Sequence, residues 1–410
     1  MSTEKKTNHA YGSSQKFLGD KGILGLIVLL SAFVPLSTDL YLPALPGMAD
    51  YFNAPVSIVN LTLILFFIFF SMGMLFWGPL SDKYGRKPVL LTGLVIYIAA
   101  SCACALSWDI WHLVLFRVLQ AVGGSAASAV ATAMVKDVYE GRKRESALAV
   151  VQSMVVLSPA LAPVIGAFML PYTSWPGLFW TLAAIGGISL FGSLLLEETN
   201  KKRYTGSIAG SFGRLAVVLK NPGFTSLLLV FSLVSTASLA FIADSSYIFV
   251  DDFGLSEKMY SFYFAINALF LIAGPFLYIR LSKTYSRLSI ITLSFIVMIA
   301  SGALVSIIGN FSPLLFTLAL IPSSLMGSCV RPSGTYLMLE QQKEDTGSAS
   351  SLINCSGLIF GSLGMTLVSI SGENLVLSIG IINMAVGLVC LTGWTIIGRM
   401  NIVKKSPDFS

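Results

Sequence analysis

Apolar residues run in blocks of about 20 along most of this chain, each bounded by charges or by Gly, Pro and Asn. A block of that length crosses the hydrocarbon core of a bilayer as one α-helix. The pattern predicts twelve spans, at 22–46, 56–80, 88–107, 110–135, 146–170, 174–196, 223–250, 256–280, 286–309, 312–339, 346–370 and 375–399. Most connections are short. The exception is 197–222, with Lys201, Lys202, Arg203, Arg214 and Lys220, which divides the chain into six-helix halves at 1–196 and 223–410.

Composition sharpens this. The 410 residues are 55% hydrophobic and 11% charged, against about 25% charged in soluble domains, and the mean hydropathy is +0.80. No signal peptide is evident, because residues 1–20 are polar and the first apolar block is long enough to span. The five cysteines all fall inside apolar blocks and are read as packing residues, with no disulfide expected. With only His9 and His112 beside them, no metal site is expected.

The net charge of +6 would suit a nucleic-acid partner, but its distribution argues otherwise. Of the 26 Lys and Arg residues, 23 lie at the termini or in the even-numbered loops. Lys258 alone is on the other side. The positive-inside rule therefore places both termini in the cytoplasm. Arg117 and Arg331 remain, both inside predicted spans.

The loop after the second span reads G-P-L-S-D-K-Y-G-R-K-P, Gly78 to Pro88. Asp82 is placed to accept hydrogen bonds from a helix N-terminus or a basic side chain. Gly78 is expected to let another helix approach and Gly85 to permit the turn. Arg86 and Lys87 are expected to anchor the loop at an anionic lipid face. The segment closely resembles the signature loop between helices 2 and 3 of the major facilitator superfamily. Leu281-Ser-Lys-Thr-Tyr-Ser-Arg287 echoes Leu80–Arg86 at the matching place in the second half, with Lys283 for the Asp and Ser286 for the Gly. The resemblance implies an all-α integral membrane protein of twelve transmembrane helices in two pseudo-symmetric six-helix bundles, the major facilitator fold.

Three further segments extend the resemblance. The fourth span carries L-F-R-V-L-Q-A-V-G-G, with Arg117, Gln120 and Gly123 as in the family pattern and Ala121 where a glycine is usual. An intramembrane arginine points to function, or to a structural role satisfied by backbone carbonyls; the resemblance ties it to proton coupling. The fifth span carries S-P-A-L-A-P-V-I-G-A, where Pro159 and Pro163 bend the helix and Gly166 allows close packing. It is similar, in degraded form, to the motif of the family's antiporters; a helix kinked only for packing is the alternative. The first span ends P-L-S-T-D-L-Y-L-P-A-L-P, which strongly resembles the bicyclomycin and chloramphenicol exporters, the Bcr/CflA group. Asp39 is its lone acid, at a depth similar to Arg117. The two are expected to share a cavity and to interact electrostatically, Asp39 taking up and releasing protons. Asp39 could instead cap the helix end.

The second half departs from the family. Asp244 in the seventh span and Arg331 in the tenth stand where relatives usually have uncharged residues. Asp244 is read as a second proton or cation site, or as an outer gate closed with Lys258 or a hydroxyl. Arg331 is read as an inner gate, an anchor for an anionic substrate group, or a structural residue. A difference of about 18 Å in depth argues against a direct pair. Tyr41, Tyr247, Phe241, Tyr336, Met48 and Asn267 are candidates for a broad, soft substrate lining, against the plainer reading that they only pack.

The function expected is proton-coupled efflux of small amphipathic drugs across a bacterial inner membrane by alternating access. No cofactor beyond the proton, no enzyme chemistry and no nucleic-acid partner are expected, and a monomer is expected. The rivals are transport of a physiological metabolite and a membrane sensor without flux.

Overall fold

The structure is a computed structural model, which describes residues 17–200, 208–342, 346–372 and 374–399. The basic N-terminal segment, Lys201, Lys202, Arg203, Lys343 and the C-terminal Lys404 and Lys405 lie outside the described residues. All elements among the described residues are helical: α1 (Gly19–Ser31), α2 (Phe33–Asp39), α3 (Leu45–Phe52), α4 (Val56–Tyr84), α5 (Arg86–Ala105), α6 (Ile110–Val138), α7 (Gly141–Leu195), α8 (Ile208–Leu219), α9 (Pro222–Tyr247), α10 (Glu257–Leu281), α11 (Arg287–Ile308), α12 (Pro313–Glu340), α13 (Thr346–Ser369) and α14 (Leu375–Arg399).

Capping residues set several helix starts. Asp109 accepts from the Trp111 amide, Asn221 from Gly223 and Phe224, and Ser256, Ser286 and Ser312 each from the amide three residues on. These side chains satisfy backbone donors that the first helical turn leaves free.

The first and the fifth to sixth predicted spans differ from the simple pattern. The first is not one helix: its two parts, Gly19–Ser31 and Pro35–Phe52, meet at 46°, and a short 3₁₀ turn, Leu42–Ala44, lies between α2 and α3. Pro35, Pro43 and Pro46 each lack the N–H that would continue the ladder. The fifth and sixth run into one long helix, α7, broken at Ser174, where φ is +56°. Taking α7 as two spans and the bent first pair as one gives twelve. The central loop is also not wholly irregular. Within it α8 buries Val218 and packs against α9 and α13.

The helices before 197 pack chiefly among themselves, as do those after 222, and the two groups meet where α4 lies on α13 and α7 lies on α10. Call the end that carries Asp82, Arg86 and Lys87 the basic end. At the opposite end the apolar cores merge: Tyr41, Leu42 and Met48 belong to one cluster with Phe241, Tyr247, Phe249, Met365 and Val368. Toward the basic end the second group keeps a core of its own, around Phe231, Phe295 and Trp394. The bundle is thus sealed opposite the basic end.

Candidate functional site

Arg117 is fully buried in the third turn of α6. Its Nη1 donates to the Ser37 carbonyl at 2.9 Å and to Gln120 Oε1 at 2.6 Å, and its Nε donates to the Thr62 carbonyl at 3.3 Å. Ser37 lies in the last turn of α2, where the helix end frees carbonyls for outside donors. The break in the first span therefore supplies the arginine's acceptor. Gln120 in turn donates to Ser101 at 2.8 Å. Aromatic faces complete the box: the guanidinium lies 4.3 Å from the Phe66 ring centroid, 4.8 Å from Tyr41 and 5.8 Å from Phe179. Cation–π attraction is strongest in such a dry setting. Nη2 has no partner in the structure.

Asp39 ends α2, is 4% exposed and accepts a hydrogen bond from Thr38 at 3.0 Å. The expected electrostatic contact with Arg117 is not an ion pair here. The bend at α2 turns Ser37, not Asp39, to the guanidinium. Asp39 and Arg117 are brought to one region, each held by neutral groups.

Asp244 and its surroundings also differ from expectation. It is fully buried near the end of α9 and accepts from Asn60 Nδ2 of α4 at 2.6 Å. The same amide donates to Ser369 of α13 at 2.8 Å. Lys258 is not the partner; its ammonium lies 5.1 Å from the Phe168 ring centroid. Asn60 escaped the sequence reading, although an asparagine amid apolar residues early in the second span was the available signal. Among the described residues Arg331 and Asp244 form no pair, and Arg331, with an accessible side chain on α12, forms no ion pair.

The proposed lining residues divide. Tyr41, Met48 and Tyr247 are buried, so they pack rather than face an open cavity in this conformation. Tyr41 shares a hydrogen bond with Thr62. Phe241 stacks on Phe264 with centroids 5.8 Å apart. Beside it Asn267, 1% exposed, accepts from Ser324 at 3.1 Å while its Nδ2 has no partner. Phe241, Asn267, Ser323 and Asn383 line one small pocket inside the second group of helices. Tyr336 is exposed at the basic end, donating to Glu340 at 2.7 Å under the Arg287 guanidinium.

At the basic end, Arg86 is buried rather than lipid-facing. Its Nη1 donates to Asp82 at 2.5 Å and to Ser81 at 2.7 Å, and its Nε donates to Asp137 at 2.8 Å. Two carboxylates outbid a lipid headgroup because their hydrogen bonds are fixed by three helix ends. The start of α5 is capped not by Asp82 but by Glu198, which accepts from the Arg86 and Lys87 amides at 2.9 and 3.2 Å. Lys87 donates to the Leu194 carbonyl at 2.8 Å. Gly85 has φ +108°, and a Cβ there would meet Glu198 Oε2 at 2.5 Å. Gly78 departs from its expected role, since a Cβ there would meet nothing within 4 Å. Among the described residues no other helix comes within contact of that position in this conformation.

Gly123 and Gly166 do permit close contact. A Cβ on Gly123 would meet the Tyr97 amide nitrogen at 2.5 Å, and one on Gly166 would overlap the Leu40 carbonyl. Pro159 and Pro163 lie within α7, the helix that carries Gly166.

Two groups of spanning helices, sealed at one end and carrying buried charge within their spans near it, define a multi-pass membrane transporter. The family model described as Major Facilitator Superfamily matches residues 27–365, and the chain belongs to that superfamily. It is 31% identical over 360 residues to the "Uncharacterized MFS-type transporter YdgK" of Bacillus subtilis (strain 168), covering 85% of this chain and 88% of that one. It is 26% identical over 401 residues to a "Chloramphenicol resistance protein" of Pseudomonas aeruginosa, covering 93% of each. Among solved structures it resembles a D-xylose-proton symporter, with a TM-score of 0.72 at 12% identity, over 90% of this chain and 96% of that one.

Proposed function

We propose that the protein exports small amphipathic drugs across a bacterial inner membrane in exchange for protons, with its basic end and both termini in the cytoplasm. One observation carries the coupling: Arg117 is held by the Ser37 and Thr62 carbonyls, Gln120 and aromatic rings and not by Asp39, so Asp39 can change protonation without stranding a paired cation. The drug class rests on the end-to-end similarity to the chloramphenicol resistance protein. On this reading the sealed end faces outward and the conformation is the inward-open half of an alternating-access cycle.

The test is flux. Purified protein in proteoliposomes is expected to move chloramphenicol-like compounds only when a proton gradient is imposed, and to move protons the other way. Gradient-independent flux, or none with any such compound, refutes the reading.

A second reading has its own support. Arg331 is an accessible cation within a span that forms no ion pair among the described residues, a feature suited to a substrate with an anionic group. Preferential transport of anionic metabolites in the same vesicles, lost in Arg331→Gln, would favour that reading.

A further inference from the structure

We infer that Asn60 and Asp244 form a proton-binding site shared between the two groups of helices, and that the bound proton holds the outer end shut. The inference rests on the proposed proton-coupled cycle for its use, but not for its existence.

Asn60 uses its one amide nitrogen twice, toward Asp244 Oδ1 and Ser369 Oγ. Two buried atoms are left without partners, Asn60 Oδ1 and Asp244 Oδ2. A buried acceptor without a donor is costly, and doubly so when it belongs to a carboxylate. One proton on Asp244 Oδ2 removes both orphans together. A carboxylic acid offers one donor and an acceptor, and the amide offers an acceptor and two N–H donors, one of which is already given to Ser369. The pair closes when Nδ2–H donates to Oδ1 and Oδ2–H donates to the asparagine Oδ1.

The surroundings favour the neutral acid. Among the described residues no basic side chain forms an ion pair with Asp244. Its own helix supplies Tyr247, whose hydroxyl lacks a partner, and the turn that continues it, Ile248–Asp252, supplies the acids Asp251 and Asp252. From α10, Tyr260 is engaged by Ser245 at 3.1 Å. α4 contributes the Asn60 amide and α13 the Ser369 hydroxyl. Tyr41 faces this region from the first span, bonded to Thr62. None of these is a cation.

When the outer end opens, α4 must leave α9 and α13, so Asp244 exchanges its amide partner for water. The closed state therefore binds the proton more tightly, and a proton bound there biases the equilibrium toward closure. Lower outer pH is expected to close the outer end.

The experiment reads the outer end directly. Spin labels go on Tyr172→Cys and Phe311→Cys, both exposed at that end on opposite groups of helices, with the five native cysteines replaced. In wild type the open-state population is expected to fall several-fold between about pH 8 and about pH 6, within the tenfold-per-unit limit of one proton. Asp244→Asn keeps an acceptor for the Asn60 amide and supplies a permanent donor to its carbonyl without titrating, so it is expected to stay closed at every pH. Asn60→Leu removes the amide and is expected to abolish the pH response and raise the open population. Distances in wild type that ignore pH overturn the inference, as does a wild-type pH response in Asp244→Asn. A failed drug-flux assay with pH-dependent distances refutes the transport reading and supports this site.

Discussion

The carbonyl of Leu40 fills the space in which a side chain on Gly166 would stand. The broken end of the first span therefore sits against the backbone of α7, and Asp39 is held in place from behind. Gly166→Ala is expected to push these segments apart. Overpacking of this kind costs about 1–3 kcal/mol, read as a drop in thermal stability, and coupled flux should fall further than stability alone explains. Normal flux in a fully stable Ala variant would show that the contact does not position Asp39.

Arg117→Lys keeps the charge and loses the planar fork. An ammonium cannot reach the Ser37 carbonyl, the Thr62 carbonyl and Gln120 in the observed directions. Losing one charge-assisted hydrogen bond costs roughly 1.5–3 kcal/mol, so flux is expected to drop at least about tenfold. Wild-type flux in the Lys variant would show that charge alone suffices.

Asp39→Asn separates geometry from coupling. Breaking a buried ion pair typically costs about 3–5 kcal/mol. Asp39 has no such pair in this structure, so the variant is expected to lose less than about 1 kcal/mol, in line with one neutral hydrogen bond. Proton-driven export should nevertheless be abolished, while downhill exchange continues. A large stability loss would indicate an Asp39–Arg117 pair in the resting protein, and undiminished uphill export would remove Asp39 from the mechanism.

Glu198→Gln tests the clamp at the basic end. The carboxylate accepts from the Arg86, Lys87 and Asn200 amides, a helix N-terminus where negative charge is favourable. Stability is expected to fall by about 0.5–1 kcal/mol, and flux to slow with little change in substrate affinity. An affinity loss at unchanged maximal rate would contradict this.

Much of the scaffold was legible because it obeys simple constraints. Length and charge mark spans, and glycine marks the tight helix contact at Gly166, whereas the first span reads as one continuous helix and its break at 46° does not show in the pattern. Partners were harder to read. Asp82 lies four residues from Arg86, but Asp137 and Glu198 come from the end of α6 and just past the end of α7, 51 and 112 residues away, so no local pattern shows that Arg86 turns inward to carboxylates rather than outward to lipid. Asn60 met the same difficulty, because its meaning comes from Asp244 and Ser369, both more than 180 residues away. Depth along a helix correctly separated Asp244 from Arg331. Depth alone wrongly suggested contact between Asp39 and Arg117, because it ignores the rotation that the helix break imposes.

Gly78 offers the sharpest test of the cycle. In this conformation its face is open, with no atom within 4 Å of a built Cβ. If the basic end closes when the outer end opens, that face must meet another helix, as glycine allows. Gly78→Leu is then tolerated here and excluded there. Stability is expected to change by no more than about 0.5 kcal/mol, the usual range for a surface substitution. Flux should collapse, and the spin-label pair at positions 172 and 311 should report a closed outer end at every pH. Substrate binding from the basic side should persist, because that side remains accessible. Gly78→Ala is expected to fall between wild type and Leu. Full transport by the Leu variant would mean that no helix closes over Gly78 in any state, and that the basic end opens and shuts elsewhere.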